Sequence, residues 1–241
     1  MRIFLAGAAG VIGRRLTPLL VMLGHEVTGT TRSAEKAGSI EAMCARPAVV
    51  DVFDAEALTR AVVAARPEAV IHQLTDLPSA PGTPGYADGQ QRNNRLRRDG
   101  TRNLMDAARA AGAKRVIAQS IAFVYAAGPA PRCESDPLDL GAEGVRALTV
   151  AGVVALEKAV LGTPPVAGIV LRYGYFYGPG TWNETAARPP SIHIDAAAHA
   201  ALLALERGQP GIYNIAEDDG AVSIAKARAE LGFDPAMRLD A

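Results

Sequence analysis

The chain has 241 residues, with 25 basic and 25 acidic side chains and a formal net charge of zero. A hydrophobic content of 49% and a charged content of 21% are typical of globular proteins, which excludes disorder of the whole chain. The charge balance argues against a dedicated nucleic-acid binder, which usually carries a basic excess, and no apolar run reaches the roughly 20 residues of a membrane span.

Short apolar segments alternate along the chain with longer segments of helical character. The predicted strands are residues 2–6, 26–31, 48–52, 69–74, 115–119, 168–173 and 211–215. The predicted helices are residues 11–23, 55–65, 90–111, 144–161, 196–207 and 223–231. This alternation predicts βαβ units. The fold class is therefore α/β, a doubly wound parallel sheet of Rossmann type within one domain, residues 1–241.

Three loops and two helix starts are also predicted. The segments 78–89, 126–141 and 178–190 are rich in turn residues and follow strands. They are therefore expected at the carboxyl edge of the sheet, where open α/β folds bind ligands. Asp54 and Asp195 each precede an Ala/Leu-rich segment and are predicted to cap a helix.

The strongest chemical signal is Gly7-Ala-Ala-Gly10-Val-Ile-Gly13, which joins the first strand to the first helix. Gly7 permits a tight turn, Gly10 lets the backbone approach a pyrophosphate, and Gly13 lets the helix pack closely on the strand. The helix N-terminus then offers free N–H groups to the phosphates. The loop predicts a dinucleotide site that includes Ala9, Val11 and Ile12.

The end of the second strand indicates which dinucleotide binds. An NAD site usually has a carboxylate there for the ribose 2′-hydroxyl, but this strand ends in Thr31-Arg32-Ser33. Arg32 suits a 2′-phosphate, and the hydroxyls of Thr31 and Ser33 add donors. NADP is therefore favoured over NAD. Asp51 and Val52, after the third strand, are predicted to contact the adenine.

These residues resemble the short-chain dehydrogenase/reductase superfamily, in its extended or atypical branch of epimerase/dehydratase-like proteins. The matches cover most of the chain. Besides the glycine loop they are Val70-Ile-His-Gln-Leu74, Gly100-Thr-Arg-Asn-Leu104, Gln119-Ser-Ile-Ala-Phe-Val-Tyr125, Leu171-Arg-Tyr-Gly-Tyr-Phe-Tyr-Gly-Pro-Gly180, Ser191-Ile-His-Ile-Asp195 and Gly211-Ile-Tyr-Asn214.

The resemblance implies further site residues. Leu74 and Thr75 would contact the cofactor ribose, and the residues from Tyr173 to Tyr177 would flank the nicotinamide and the substrate. The fifth strand usually supplies a catalytic serine or threonine, for which Ser120 is the candidate. If Val124-Tyr125 matches the family's Val-Tyr pair, however, the usual serine position falls on Ile121.

The pair that performs proton transfer in this family is missing. Redox members normally carry Tyr-x-x-x-Lys on one helix, where the lysine lowers the pKa of the tyrosine. No tyrosine of this chain has a lysine four residues later. In the helix 144–161, Thr149 and Val153 fall at the two positions. Tyr125 or Tyr175 is predicted to serve instead as a proton donor, with the substrate held near Ser120.

The segment that normally caps the substrate is short in this chain. Only residues 181–190 separate the Tyr-Gly-Pro-Gly turn from Ser191-Ile-His-Ile-Asp195. A minimal substrate lobe from about residue 174 to residue 241 is therefore expected, and a nucleotide-sugar pocket is not.

Three functions remain open at the sequence level. The favoured one is an NADP-dependent oxidoreductase or epimerase/dehydratase-like enzyme for a small organic substrate. The alternatives are a non-catalytic NADP-binding redox sensor or interaction protein, and a cofactor-independent lyase or isomerase. A cytoplasmic location is expected, without a nucleic-acid or membrane partner, and the resemblance implies a homodimer through helices 90–111 and 144–161.

Two further clusters are interpreted as structural. The two cysteines, Cys44 and Cys133, and the pair His193 and Asp195 do not form a metal-ligand set, so no metal is predicted. Five arginines between residues 91 and 102 are able to bind an anion, but zero net charge and the lack of interleaved aromatics favour a solvated helix face.

Overall fold

A computed structural model describes residues 1–77 and 84–239. Its strands are β1 (Arg2–Ala6), β2 (Glu26–Thr31), β3 (Arg46–Val49), β4 (Ala69–His72), β5 (Arg115–Ile121), β6 (Ala167–Tyr173), β7 (Tyr175–Tyr177), β8 (Ser191–His193) and β9 (Gly211–Ile215). Its α-helices are α1 (Val11–Met22), α2 (Ala37–Glu41), α3 (Ala55–Ala65), α4 (Tyr86–Arg95), α5 (Thr101–Ala110), α6 (Gly144–Leu161), α7 (Ile194–Leu203) and α8 (Ala225–Leu231). A 3₁₀ turn, Ala34–Lys36, precedes α2, and a π-helical turn, Leu96–Gly100, joins α4 to α5.

Seven parallel strands form one sheet in the order β3-β2-β1-β4-β5-β6-β9. The strand order reverses between β1 and β4, because β2 and β3 lie on one side of β1 and the later strands lie on the other. That reversal opens a crevice at the carboxyl edge, where doubly wound sheets bind ligands. The predicted α/β fold class is confirmed.

Helices cover both faces of the sheet, because alternate strand residues point to opposite faces. Ile3, Leu5 and Ile71 belong to a core that includes residues of α1 and α7. Phe4 and Val70 belong to a second core, with residues of α3, α5 and α6. Both faces are therefore apolar, as expected for a parallel sheet.

Most element boundaries agree with the prediction, and the differences follow from strand pairing. The third strand ends at Val49 rather than at residue 52, because its pairing with β2 ends at Thr31. The fifth strand continues to Ile121, because Ile121 pairs with Tyr173. The fourth strand ends at His72, before the predicted residue 74.

Several helices differ from the prediction. The segment 90–111 consists of α4, the π-helical turn and α5, and it starts at Tyr86. The predicted loop 78–89 therefore ends before Tyr86, and its residues 78–83 lie outside the described part of the chain. The helices predicted at 196–207 and 223–231 span Ile194–Leu203 and Ala225–Leu231.

One predicted helix cap is confirmed and the other is wrong. Asp54 caps α3, since its carboxylate accepts a hydrogen bond from the Ala57 N–H at 2.9 Å. Asp195 instead lies inside the first turn of α7, where His193 Nδ1 accepts from the Asp195 N–H. The helix α2 and the small parallel pair of β7 and β8 were not predicted.

The segment after residue 173 contributes one strand to the main sheet and also forms a small separate strand pair. β9 extends the main sheet and α7 packs against α1, while β7 and β8 form a separate pair. The loops 126–141 and 178–190 contain no helix or named strand, as predicted. Within residues 1–77 and 84–239, no helix has the length and apolar character needed to cross a membrane.

Candidate functional site

A cavity of about 360 Å³ lies at the carboxyl edge, beside the strand-order reversal. Its volume is within the range of small-molecule pockets. Its wall includes the predicted residues Gly7, Ala9, Gly10, Thr31, Arg32, Ser33, Val52, Leu74 and Thr75. It also includes residues that the sequence did not single out, namely Ala6, Thr30, Lys36, Val50, Phe53, Leu58, Gln73 and Leu96.

The glycine loop forms one end of this cavity, and its backbone leaves no room for side chains. Gly7 has a φ of +95°, and a Cβ there would lie 2.8 Å from the Gln73 carbonyl oxygen. A Cβ on Gly13 would lie 2.2 Å from the Gly7 carbonyl oxygen. Gly13 therefore brings α1 against the loop without itself lining the cavity. Val11 and Ile12 also lie outside the cavity wall.

The N-terminus of α1 has no side-chain cap. Its capping residue, Gly10, has an extended backbone, and no side chain accepts a hydrogen bond from the first turn. The unpaired N–H groups of a helix N-terminus favour anions. The Gly7 N–H donates to Thr30 Oγ1 at 3.1 Å, which ties the loop to the end of β2.

Two cations lie at the β2 end of the cavity. Arg32 is mostly exposed, and its nearest carboxylate is Asp76, at 3.8 Å. Lys36, on the 3₁₀ turn, lines the same cavity and was missed because the sequence did not predict that turn. Thr31 Oγ1 accepts from the Ser33 N–H, so it fixes the turn that carries Arg32. The described residues of this wall include no carboxylate.

The residues after β3 differ in where they point. Val52 lies in the cavity wall, as do its neighbours Val50 and Phe53. Asp51 does not, because its carboxylate accepts a hydrogen bond from the Phe53 N–H at 2.9 Å and shapes the turn. Its predicted contact with adenine stays a prediction, without support from this geometry.

His72 fixes the loop that follows β4. Its Nδ1 accepts from the Leu74 N–H at 3.2 Å, and its Nε2 lies 2.9 Å from Thr101 Oγ1. Burial, with a smaller effect from Arg97, lowers the pKa of His72 to about 4. His72 is thus neutral at physiological pH and holds Leu74 at the cavity. Next to it, Gln73 Oε1 is buried and has no partner within the described residues.

Apolar packing surrounds Val153, which was predicted to stand at the family's lysine position. Ile121 and Val153 belong to one small buried cluster with Val124 and Val150. Thr149 donates to the Val145 carbonyl of its own helix at 3.2 Å. Positions 149 and 153 carry neither a phenol nor an ammonium group, and their match to the family's Tyr and Lys positions stays a prediction.

Ser120 lies inside a buried polar network instead of the cavity wall. Its hydroxyl donates to Glu157 Oε1 at 2.8 Å, and Glu157 accepts two hydrogen bonds from Arg172, at 2.8 and 2.7 Å. Burial alone lowers the pKa of Arg172, but the hydrogen bonds and charge of Glu157 outweigh this effect and raise it. These contacts favour a positioning role for Ser120, and its catalytic role stays a prediction.

Tyr125 belongs to the same network. Its hydroxyl donates to Asn214 Oδ1 at 2.6 Å and accepts from Arg172 Nη1 at 2.8 Å. Burial raises the pKa of Tyr125, although Arg172 opposes the shift. A phenol held in this way is a poor proton donor near neutral pH, so its contacts do not support the predicted role.

Tyr173, the last residue of β6, and Tyr175, the first residue of β7, lie in different surroundings. Tyr173 is fully buried and donates to the Ala197 carbonyl at 3.2 Å, so its ring packs in the core rather than in the cavity wall. Tyr175 is half-buried between the Phe123 ring, at 3.8 Å, and the Arg188 guanidinium, at 3.9 Å. Burial raises the pKa of the Tyr175 phenol.

The arginine cluster is only partly the solvated face that was predicted. Arg92, Arg95, Arg98 and Arg102 have side chains 56–62% exposed. Arg97 is buried, at 8% exposure, so the prediction is wrong for this residue. The π-helical turn that carries it changes the helical register, a shift that the sequence pattern did not reveal.

No group of three or more His, Cys, Asp or Glu side chains suited to a metal ion occurs in the described ranges. His193 and Asp195 lie 3.6 Å apart, Nδ1 to Oδ2, at the start of α7. Asp195 also pairs with Arg15 on α1, at 3.5 Å, so this cluster joins two helices.

Comparison with known proteins agrees with this architecture. The sequence model of a family described as NAD(P)H-binding matches residues 7–147. A 3-diazoavenalumate denitrifying reductase of a Streptomyces species is 40% identical over 92% of this chain and 77% of its own length. A dTDP-4-dehydrorhamnose reductase of Streptomyces griseus is 29% identical over 87% of this chain and 60% of its own.

Solved structures share the fold at low sequence identity. A UDP-glucose 4-epimerase of Thermotoga maritima with UDP-glucose has a TM-score of 0.79 and 18% identity, covering 99% of this chain and 94% of its own. A UDP-glucose 4-epimerase of Thermus thermophilus in complex with NAD has a TM-score of 0.75 and 20% identity, covering 99% and 95%. The chain therefore belongs to the NAD(P)H-binding family, and it shares its fold with these epimerases.

Proposed function

We propose that this chain is an NADPH-dependent reductase that directs hydride to a substrate requiring no proton from a tyrosine. The observation that carries the proposal is the contrast between the two parts of the site. The dinucleotide cavity has a glycine loop and two cations, whereas Thr149 and Val153 stand on α6 at the positions that the resemblance assigns to the proton-transfer pair.

The cavity fits the adenosine half of NADP in its chemistry. Gly7 and Gly10 clear space beside the uncapped N-terminus of α1, which suits a pyrophosphate. Arg32 and Lys36 at the other end suit a 2′-phosphate, which carries the negative charge that a 2′-hydroxyl lacks. The orphaned Gln73 Oε1 offers an acceptor to a bound hydroxyl or amide. When bound, the reduced nicotinamide supplies a hydride.

The absent proton donor restricts the substrate class. Reduction of a carbonyl adds a hydride and a proton, and the proton normally comes from a positioned acid. Replacement of a diazonium group by hydride forms one C–H bond and breaks one C–N bond, and dinitrogen leaves. Two electrons pass from NADPH to the substrate carbon, and no proton is transferred. The name of the 40% identical relative, which refers to a diazo compound and to denitrification, agrees with this class.

The residues after β5 and β6 would form the substrate side. Phe123, Tyr175 and Arg188 stack at the same edge of the sheet as the glycine loop. A stacked ring with a guanidinium suits a flat aromatic group. We assign the residues from about 174 onwards to a small substrate lobe, with the β7–β8 pair at its base.

The test compares substrates that do and do not need a proton. Oxidation of NADPH is followed at 340 nm with an aryl diazonium carboxylate and with aromatic aldehydes and ketones, each corrected for its rate without enzyme. Deuteride from [4-²H]NADPH should appear in the arene and dinitrogen should be released. Faster turnover of the carbonyl panel would refute the proposal.

A matched variant tests the missing acid directly. Thr149→Val removes the only hydroxyl at the former tyrosine position, and it should leave the rate of diazonium reduction within about twofold, because the reaction transfers no proton. A large loss of turnover would assign the hydroxyl a chemical role. Binding of NADPH without turnover of either substrate class would favour the non-catalytic sensor.

A further inference from the structure

Arg97 differs from the four arginines that surround it. It is 8% exposed, whereas the side chains of Arg92, Arg95, Arg98 and Arg102 are more than half exposed. Each of those four forms an ion pair with Asp76 or Asp99. The Arg97 guanidinium makes neither an ion pair nor a hydrogen bond to any residue in ranges 1–77 and 84–239.

The local backbone brings Arg97 to α6 beside the vacated lysine position. The π-helical turn carries Arg97 against Gly152, whose missing side chain leaves room for both Asn94 and Arg97, since a Cβ there would meet Asn94 Oδ1 first. A Cβ on Gly152 would lie 3.3 Å from Arg97 Cδ. Gly152 directly precedes Val153, the residue at the position where the family has its lysine. π-Helical turns occur frequently at functional sites.

The surroundings place Arg97 near the carboxyl edge of the sheet. Leu96, the preceding residue, lines the dinucleotide cavity. Thr101, one turn after Arg97, lies beside His72 at the end of β4. The adenosine end of the cavity is at β2, so the nicotinamide half of a dinucleotide extends past β1 towards β4 and β5. Because Thr101 contacts His72, the turn that carries Arg97 lies beside the end of β4, on the side towards which the nicotinamide half extends.

Holding a guanidinium at 8% exposure without a partner among the described residues is costly, because its charge and its N–H donors lose most of their contact with water. Glu157 is the buried carboxylate close enough to affect its pKa, but Glu157 is already bonded to Arg172 and Ser120. Burial lowers the pKa of Arg97 to about 10, so the side chain remains charged at neutral pH. A side chain kept charged and unpaired in this way is suited to a ligand with acceptor oxygens.

We propose that Arg97 binds the nicotinamide half of the cofactor, through its ribose hydroxyls, and replaces the lysine cation that α6 lacks at Val153. This inference rests on the proposed use of NADPH. In this proposal Arg97 reaches the ribose from the π-helical turn that packs against Gly152 of α6. The site thus retains the binding role of the missing lysine and loses only the acidification of a tyrosine.

The experiment separates the two halves of the cofactor. Dissociation constants of NADPH and of adenosine 2′,5′-bisphosphate, which lacks the nicotinamide ribose, are measured by calorimetry for the wild type, Arg97→Met and Arg98→Met. Arg97→Met should raise the dissociation constant of NADPH about 10-fold to 100-fold, which is the range for the loss of a hydrogen bond to a charged group. It should leave the dissociation constant of the bisphosphate unchanged. The exposed Arg98→Met control should change neither constant.

Melting temperature without ligand provides a second readout. Because Arg97 is buried and pairs with no residue in the described part of the chain, Arg97→Met should leave the melting temperature of the free protein unchanged or raise it. Arg97→Lys keeps a cation and should recover part of the NADPH affinity.

Three results would overturn the inference. They are an unchanged NADPH affinity in Arg97→Met, an equal loss for both ligands, and a lower melting temperature of the free variant. A wild-type protein that binds no NADPH would overturn the proposed function together with this inference. Unchanged NADPH affinity with a raised KM for the substrate would instead assign Arg97 to the substrate and leave the proposed function intact.

Discussion

Glu157→Gln is expected to destabilise the protein strongly, because it removes the carboxylate that pairs with the buried Arg172. Both side chains are nearly inaccessible, at 7% and 3% exposure. The Glu157 carboxylate accepts three hydrogen bonds, two from Arg172 and one from Ser120. The glutamine amide keeps the size of the side chain but removes its charge. Its NH₂ group also places hydrogen-bond donors against the donors of Arg172 and Ser120.

The magnitude follows from the burial of the pair. Removing one partner of a buried ion pair costs about 3–5 kcal/mol, since the other charge stays buried. For a chain of this length, each kcal/mol changes the melting temperature by about 2–4 °C. The variant should therefore melt roughly 6–20 °C below the wild type.

The assay is thermal and urea unfolding, followed by circular dichroism, of the wild type and two variants. Asp218→Asn is the matched control, because Asp218 pairs with Arg228 at 2.8 Å while both side chains are 48% or more exposed. That exposed ion pair should contribute at most about 1 kcal/mol to the free energy of unfolding. The reasoning would be refuted if Glu157→Gln lowered the free energy of unfolding no more than Asp218→Asn does.

Three further predictions concern the site. Arg32→Ala should raise the Kd of NADPH about tenfold and leave that of NADH unchanged, as measured by calorimetry; an equal effect on both would argue against a 2′-phosphate contact. Gly13→Ala should abolish binding of both nucleotides and lower the melting temperature, because the added Cβ meets the Gly7 carbonyl at 2.2 Å. The pKa of His72 falls from its ordinary 6.5 to about 4, so the unfolded state binds more protons between these values and stability falls as pH decreases. Between pH 7.5 and pH 5 the wild type should lose about 2 kcal/mol more than His72→Gln in urea unfolding, and parallel curves would contradict this.

The sequence determined the sheet and the nucleotide loop. Apolar runs alternating with amphipathic segments leave few packings besides a parallel sheet covered on both faces. The strands 2–6, 26–31 and 211–215 were predicted with the bounds that the structure shows. The glycine spacing is a local property of the backbone, so Gly7 and Gly10 were assigned to the cavity wall without knowledge of any long-range contact.

Only the tertiary structure decided what the polar residues at the carboxyl edge do. Ser120 and Tyr125 carry suitable groups at suitable places in the sequence, but strand alternation and the packing of α6 direct both into the network around Arg172. Lys36 and Gln73 enter the cavity wall through a 3₁₀ turn and a strand end that show no periodic signal.

Arg97 shows most clearly the difference between what the sequence determines and what the tertiary structure determines. In the sequence it is one of five arginines in a polar helical segment, with nothing to separate it from its neighbours. A single π-helical turn, opposite a glycine on α6, changes which of the five is buried. The hydrophobic pattern of the sequence specifies which faces of the helices and strands are buried, because each face is defined by many residues together. Which polar group lies next to which depends on register and contact across the sheet, and these are set only when the chain is folded.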